Sequence, residues 1–484
     1  MDVPWWGLIP FVAMLGAIAV FPLVPATAHR WEQPRYQLGL ALALGVPVAA
    51  WMILGGLPGA VAHALVEYSQ FIVLLLSLFI VSGGIYLAGD LPAHPRTNTA
   101  FLAVGAVLAS VIGTTGAAML LIRPLLNTNA ERRHRVHTVV FAILIIANCG
   151  GLLTPLGDPP LFLGFLRGVP FTWTLQLLPE WLFVNGLLLV VYFLLDLRRY
   201  AEESPESIAA DEARVTRLRL EGQVNFVFLA MIVLAVAFLP SLDLHAIETG
   251  HAGFTAFIPW RELVMLTAAV VSLRAGDPVV RYHHNGFTWG PIREVAALFI
   301  GIFLTMIPAL RYLSQVAPSL PLNEITFFAF TGGLSSVLDN APTYVTFFEM
   351  ARELPGDPRV AGVPEVYLVA ISLGSVFCGA ITYIGNGPNF MVKAVAEHGG
   401  VSMPSFGGYV VWTFRYLVPT LVAMVCIFVA DPAWAHLVGW VMAVGVVAVA
   451  ALPVIGRGRG PGAPVADAAN TPCDVATPPG GGQG

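Results

Sequence analysis

Apolar and polar positions alternate in blocks along this chain. Eleven blocks, roughly 6–24, 38–57, 70–88, 136–154, 178–197, 222–240, 260–274, 294–313, 364–382, 407–430 and 434–455, are apolar runs with few charges. Runs of about 18 to 25 such residues predict transmembrane helices. Two other blocks behave differently. Residues 99–126, "TAFLAVGAVLASVIGTTGAAMLLIRPLL", and 324–350, "EITFFAFTGGLSSVLDNAPTYVTFFEM", are each long enough for one span, but a polar, Gly-rich break interrupts each at its middle. Two short arms meeting at a polar tip predict a re-entrant helical hairpin. Irregular backbone is tolerated at that depth only where protein or a water-filled cavity surrounds it.

Composition agrees with the pattern. Of 484 residues, 57% are hydrophobic and 11% charged, against about 25% charged in soluble domains. The fold class is an all-α polytopic membrane protein whose surroundings are the lipid bilayer. The net charge of -5 is small and gives no reason to expect a nucleic-acid partner. Cys149, Cys378, Cys426 and Cys473 show no metal-ligand spacing, and three lie in apolar segments, where they read as buried small hydrophobes. No nucleophile–base pairing, metal cluster or phosphate loop stands out, so the chain is expected to be neither an enzyme nor a cofactor carrier.

Basic residues set the orientation. "AERRHRVH" (130–137), "DLRRY" (196–200), the arginines of 214–219, "RYHH" (281–284) and Arg457 to Arg459 are expected on the cytoplasmic side of the plasma (inner) membrane. The first segment lacks a basic stretch before it and reads as a retained helix with the N-terminus outside. Glu67 and His63 are placed just before the third span, and "HHNGFTWGPIREV" as an amphipathic helix along the inner surface. With this orientation the first hairpin opens to the cytoplasmic face and the second to the outer face, as an inverted repeat predicts. The domain expectation is a first helix (1–34), a first transporter repeat (35–198), a charged, partly helical cytoplasmic linker (199–221), a second repeat (222–456) and a disordered cytoplasmic tail (457–484).

Two motifs recur. "SVIGTTGAAML" from Ser110 matches "SVLDNAPTYVT" from Ser336, 226 positions later (336 − 110). "GLLTPLGDPPLFL" from Gly151 matches "GAITYIGNGPNFM" from Gly379, 228 positions later (379 − 151). Two pairs in the same order at nearly the same spacing indicate a duplication. In the second motif Gly and Pro stop a helix, and a new short one starts after Asp158 or Asn386, with Pro in its first turn. A broken helix frees carbonyls at one end and N–H groups at the other. Oxygen-rich breaks suit a hard cation such as Na+, and each tip is expected to face the break of its own half, giving two related polar sites near the midplane.

"GTTGAAMLLIRPLL", "GGLLTPLGDPPLFLGF", "SSVLDNAPT" and "GNGPNFMVKAVAE" resemble motifs of the ion-transporter superfamily over roughly 35–455. That group includes citrate-transporter-like proteins, NhaD-type sodium/proton antiporters, arsenite permeases and divalent anion/sodium symporters. In the anion symporters, tips reading Ser-Asn-Thr bind sodium together with a Gly-Thr-Pro-Pro break. Here the tips read Gly113-Thr114-Thr115 and Asp339-Asn340-Ala341, and the breaks Gly157-Asp158-Pro159-Pro160 and Gly385-Asn386-Gly387-Pro388. The resemblance also implies a homodimer.

The candidate ion- or substrate-binding residues are Asp339, Asn340, Ser336, Thr114, Thr115, Asp158, Thr154, Asn148, Thr382, Asn386 and Asn389. Among them Asp339, Asn340, Asp158 and Asn386 are the Na+ candidates. Asp339 reads chiefly as the ion- or proton-binding carboxylate, and Asp158, before two prolines, as the better candidate for a helix cap. The asparagines and threonines are either oxygen ligands or helix-to-helix hydrogen-bond partners, and Asn148 and Asn389 can satisfy backbone groups freed at the breaks. The expected function is a secondary active transporter working by alternating access, a sodium/proton antiporter in which Na+ and H+ compete for a carboxylate. The alternative is a cation-coupled transporter of citrate or another carboxylate.

Overall fold

A computed structural model describes residues 3–455, apart from residues 23, 32, 251 and 252. The expected tail, 457–484, lies outside the described residues. Among the described residues the fold is mainly helical, with two short two-stranded sheets. Among the described residues, eight helices are long and apolar enough to cross a membrane, and three shorter apolar ones accompany them.

Boundaries follow local chemistry. Pro sits in the first turn of the helices Pro34–Leu54, Pro58–Ser82, Pro95–Ile112 and Leu178–Tyr200, where its missing N–H leaves no bond unmade. The third span starts at Pro58 rather than near residue 70, so His63 and Glu67 lie inside a helix, not before it. An apolar window misses such polar opening turns. "GPIREV" likewise opens the long helix Gly290–Val316, and no surface helix spans 283–295: a separate helical turn ends at His284 and irregular chain follows.

Both interrupted blocks form helix–turn–helix pairs. Pro95–Ile112 turns into Thr114–Thr128 at Gly113, whose φ of 82° an L-side chain rarely adopts. Glu324–Ser335 and Asn340–Arg352 flank the stretch 336–339. The helices Val136–Ile145 and Glu365–Cys378 run into the two breaks, and the short helices Pro159–Leu166 and Gly387–His398 leave them. These short helices cross over. Pro159–Leu166 packs on Asn340–Arg352, and Gly387–His398 packs on Thr114–Thr128. A wall of Pro34–Leu54, Pro58–Ser82 and Gly290–Val316 stands beside this crossed core.

The linker is more ordered than a charged connector needs to be. Its helix Pro205–Arg214 is capped by Ser204, which accepts from Ser207 N at 3.2 Å. The following strand, Thr216–Glu221, pairs antiparallel with Tyr86–Asp90. Some of the basic residues assigned to the cytoplasmic side are buried. Arg132 and His137 lie 2.6 and 2.8 Å from Asp196 Oδ1, and Asn98 donates to Oδ2 at 3.1 Å, all four side chains being almost fully buried.

Candidate functional site

The two breaks are built alike. Thr154 Oγ1 donates to Ser110 O and Thr382 Oγ1 to Ser336 O, both at 2.5 Å. Each threonine hydroxyl also accepts a backbone N–H two residues on, from Leu156 at 3.1 Å and Ile384 at 3.2 Å. The glycines of each break nearly touch. A Cβ on Gly157 would stand 2.0 Å from Gly151 O, and one on Gly385 would stand 2.6 Å from Gly379 O. Tip and break of each half thus face one another, as the sequence suggested, with Thr154 and Thr382 acting as fasteners between helices.

The tips and breaks do not form two separate sites. They converge on Asp158, which is 1% exposed. Its Oδ1 accepts from Thr114 Oγ1 at 3.1 Å and from Asn386 Nδ2 at 3.1 Å, and its Oδ2 accepts from Asn340 Nδ2 at 2.5 Å. Thr114 and Asn340 hold matching places in the two tips, 226 positions apart, and Asp158 and Asn386 hold matching places in the two breaks, 228 apart. Asn386 Nδ2 also reaches Asn148 Oδ1 at 3.2 Å, and Asn148 Nδ2 donates to Asn389 Oδ1 at 2.7 Å. Asn389 Nδ2 bonds the carbonyls of Gly379 and Thr382, each at 2.9 Å, so it satisfies backbone freed at the break. Asn340 Oδ1 is buried without a hydrogen-bond partner. A buried acceptor left unpaired costs about 1–3 kcal/mol.

The helix cap falls to Asp339 rather than to Asp158. Asp158 occupies an N-cap position but caps nothing, because Pro159 and Pro160 have no N–H to offer, and the next amide, Leu161, bonds the Asp158 carbonyl at 3.1 Å. Its carboxylate is released to the network. Asp339 does cap: Oδ1 accepts from Ala341 N at 3.0 Å, and its carbonyl accepts from Thr343 Oγ1. Ser336 turns away, donating to Gly333 O at 2.7 Å, so only its carbonyl belongs to the site.

Asp158, Asp339, Thr114, Thr115 and Asn386 line one cavity whose walls are otherwise mostly apolar, and no Lys, Arg or His is among its lining residues. Among the described residues no three His, Cys, Asp or Glu are grouped as a metal centre needs. A bound ion would therefore draw on amide, hydroxyl and carbonyl oxygens beside the carboxylates, a donor set that suits a weakly held hard cation. Sequence reasoning missed Arg167, which bridges Glu67 at 2.7 Å and Glu349 at 3.2 Å. An arginine directly after a short apolar helix was the available signal.

A family model described as "Putative citrate transport" matches residues 1–429. No curated protein matches the chain.

Proposed function

Because the chain belongs to this citrate-transport family of membrane transporters, we propose that it is a secondary active transporter that exchanges Na+ for H+ at the Asp158–Asp339 cavity. One observation carries the reading: two carboxylates line a cavity with no basic side chain, beside an unpaired buried oxygen of Asn340. That environment attracts a cation and repels a free carboxylate anion.

The network also supplies a way to couple the ions. Ionised, Asp158 accepts from Thr114, Asn340 and Asn386 at once. Protonated, it becomes a donor on one oxygen, and that oxygen accepts more weakly and needs an acceptor of its own. Turning the Asn340 amide over would present Oδ1 to the new O–H, and withdraw from a cation the ligand it needs. Na+ and H+ then exclude one another. Alternating access follows if the crossed core moves against the wall of long helices, and the matching contacts of Thr154 and Thr382 support two inverted repeats as its basis. Na+ and H+ are cargo in this reading, no cofactor is required, and a homodimer is the expected assembly.

The family description favours a second reading, cation-coupled transport of citrate or another carboxylate, in which a bound cation first neutralises the two aspartates. Proteoliposomes holding Asp158→Asn separate the readings from a merely structural Asp158. Loss of Na+-driven proton movement in a protein that still melts cooperatively supports cation binding there, and full exchange in the variant rules it out.

A further inference from the structure

A second cavity lies beyond the first along the same helices. Pro58–Ser82 lends Phe71, Leu74 and Leu75 to the Asp158 cavity and, one to three turns earlier, Ala60, His63 and Glu67 to the second. Gly290–Val316 runs the other way, lending Val295 and Phe299 to the first, then Phe303, Arg311 and Ser314 to the second. Two further segments repeat the pattern. Phe162 and Asp339 face the first cavity, while Arg167 and Glu349, farther along the same stretches, face the second. Four segments share both cavities in one consistent order, which two unrelated surface clefts would have no reason to do. Both long helices are candidate membrane spans, so the cavities are stacked across the bilayer. Glu67 and Leu74, seven residues apart, are separated by about 10 Å of helix rise.

What divides the cavities is a cluster of rings with a charged clamp beside it. Phe71 stacks on Phe299 with centroids 4.9 Å apart, and Phe303 lies 6.0 Å from both Phe71 and Tyr68. Phe71 and Phe303 are fully buried, and Tyr68 Oη, donating to Ala296 O at 2.9 Å, pins its ring across the two helices. On the far side, Arg167 ties the segment after Pro159–Leu166 to Glu67 of the wall and to Glu349 of the crossed core. Ring packing excludes water, and the clamp fixes core against wall.

We propose that the second cavity is the opposite access mouth of the transport path, admitting small hydrated cations and protons, and that the Tyr68–Phe71–Phe299–Phe303 cluster is the barrier closing it from the Asp158–Asp339 site. The identity of the cargo rests on the cation-exchange reading, but the path itself does not. The mouth is polar, as an aqueous access path requires: His63, Glu67, Arg311, Ser314, Gln315 and Glu353 line it. In this conformation the Arg167 clamp stays shut, and opening toward the mouth breaks it.

The test reads accessibility rather than transport. In a chain with its four cysteines replaced, Ser314→Cys reports the second cavity and Leu75→Cys the first, each challenged by a membrane-impermeant thiol reagent on either face of oriented vesicles. Ser314→Cys is expected to react from one face and Leu75→Cys from the other. Adding Phe303→Ala is expected to make Leu75→Cys reactive from both faces, while Phe303→Leu, which keeps most of the volume, preserves sidedness. Reaction of both reporters from the same face overturns the proposal, as does unchanged sidedness in Phe303→Ala. If Phe303→Ala fails to fold, Phe71→Ala is read by the same criteria. Two-sided labelling in Phe303→Ala together with no Na+/H+ flux in the parent would remove the cation reading and leave the path. Flux with unchanged sidedness would do the reverse.

Discussion

Asn340 Nδ2 donates to Asp158 Oδ2 at 2.5 Å, joining the tip of the second helix pair to the break of the first half across 182 residues of chain. Both side chains are buried. Asn340→Ala leaves a buried carboxylate oxygen without its donor, at a cost of about 1–3 kcal/mol. The expected result is a lower melting temperature together with loss of exchange. Asn340→Asp, which sets carboxylate against carboxylate, is expected to be worse on both measures.

Asp339 separates charge from capping. Asn is as good an N-cap as Asp, so Asp339→Asn keeps the bond from Ala341 N while removing the charge from the cavity. Thermal stability is expected to stay within about 0.5 kcal/mol of the parent, with Na+-dependent proton movement abolished. Asp339→Ala is expected to lose about 1 kcal/mol in addition. Differential scanning fluorimetry beside a flux assay checks both.

The breaks depend on absent side chains. A methyl on Gly157 would overlap Gly151 O, which is backbone and cannot turn aside. Gly157→Ala is expected to cost about 1–3 kcal/mol and to displace Asp158, the next residue, from its donors. Gly333→Ala, with open space around its Cβ position, is the control and is expected to melt with the parent.

At the linker, stability depends on pH through Asp211. Its Oδ2 accepts from Ala93 N at 2.9 Å and its Oδ1 is buried and unpaired. Burial pushes its carboxyl above the ordinary range, and the neighbouring Glu131 adds to this, against Arg132, His94 and the Ala93 bond. Asp90 is raised as well, by burial first and then by Glu131 and Asp211. A raised carboxyl favours folding in its protonated form, so its contribution is complete below about pH 4 and is lost as pH rises through the folded value. Asp211→Asn retains an acceptor for Ala93 without the charge. Near neutral pH it is expected to stabilise the linker by up to about 1 kcal/mol, and to flatten the parent's fall in stability between mildly acidic and neutral pH. Hydrogen exchange at Ala93 and along 205–214 measures the difference; an unchanged slope would contradict it.

Most of the helices were legible because apolar runs and Pro or Gly punctuation act locally. Gly113 and the 336–339 stretch announced the two turns, and the repeated motifs announced matching breaks. What sequence could not carry was which side chains meet. The strand pair 86–90 with 216–221 joins segments some 130 residues apart, a pairing no local pattern encodes. That Asp158 would not cap was readable in principle, since two prolines after it leave its side chain without an amide to hold. Convergence of Thr114, Asn340 and Asn386 on one carboxylate needed the crossing of the short helices. That crossing is a tertiary event.

The central claim is that the cavity binds a cation in exchange for protons. Its most direct test is a pulse of Na+ to proteoliposomes carrying an internal pH dye, first without any carboxylate and then with labelled citrate. Proton movement driven by Na+ alone, with no citrate accumulation, is the predicted result. Citrate accumulation with no Na+-driven proton movement at any pH would contradict it.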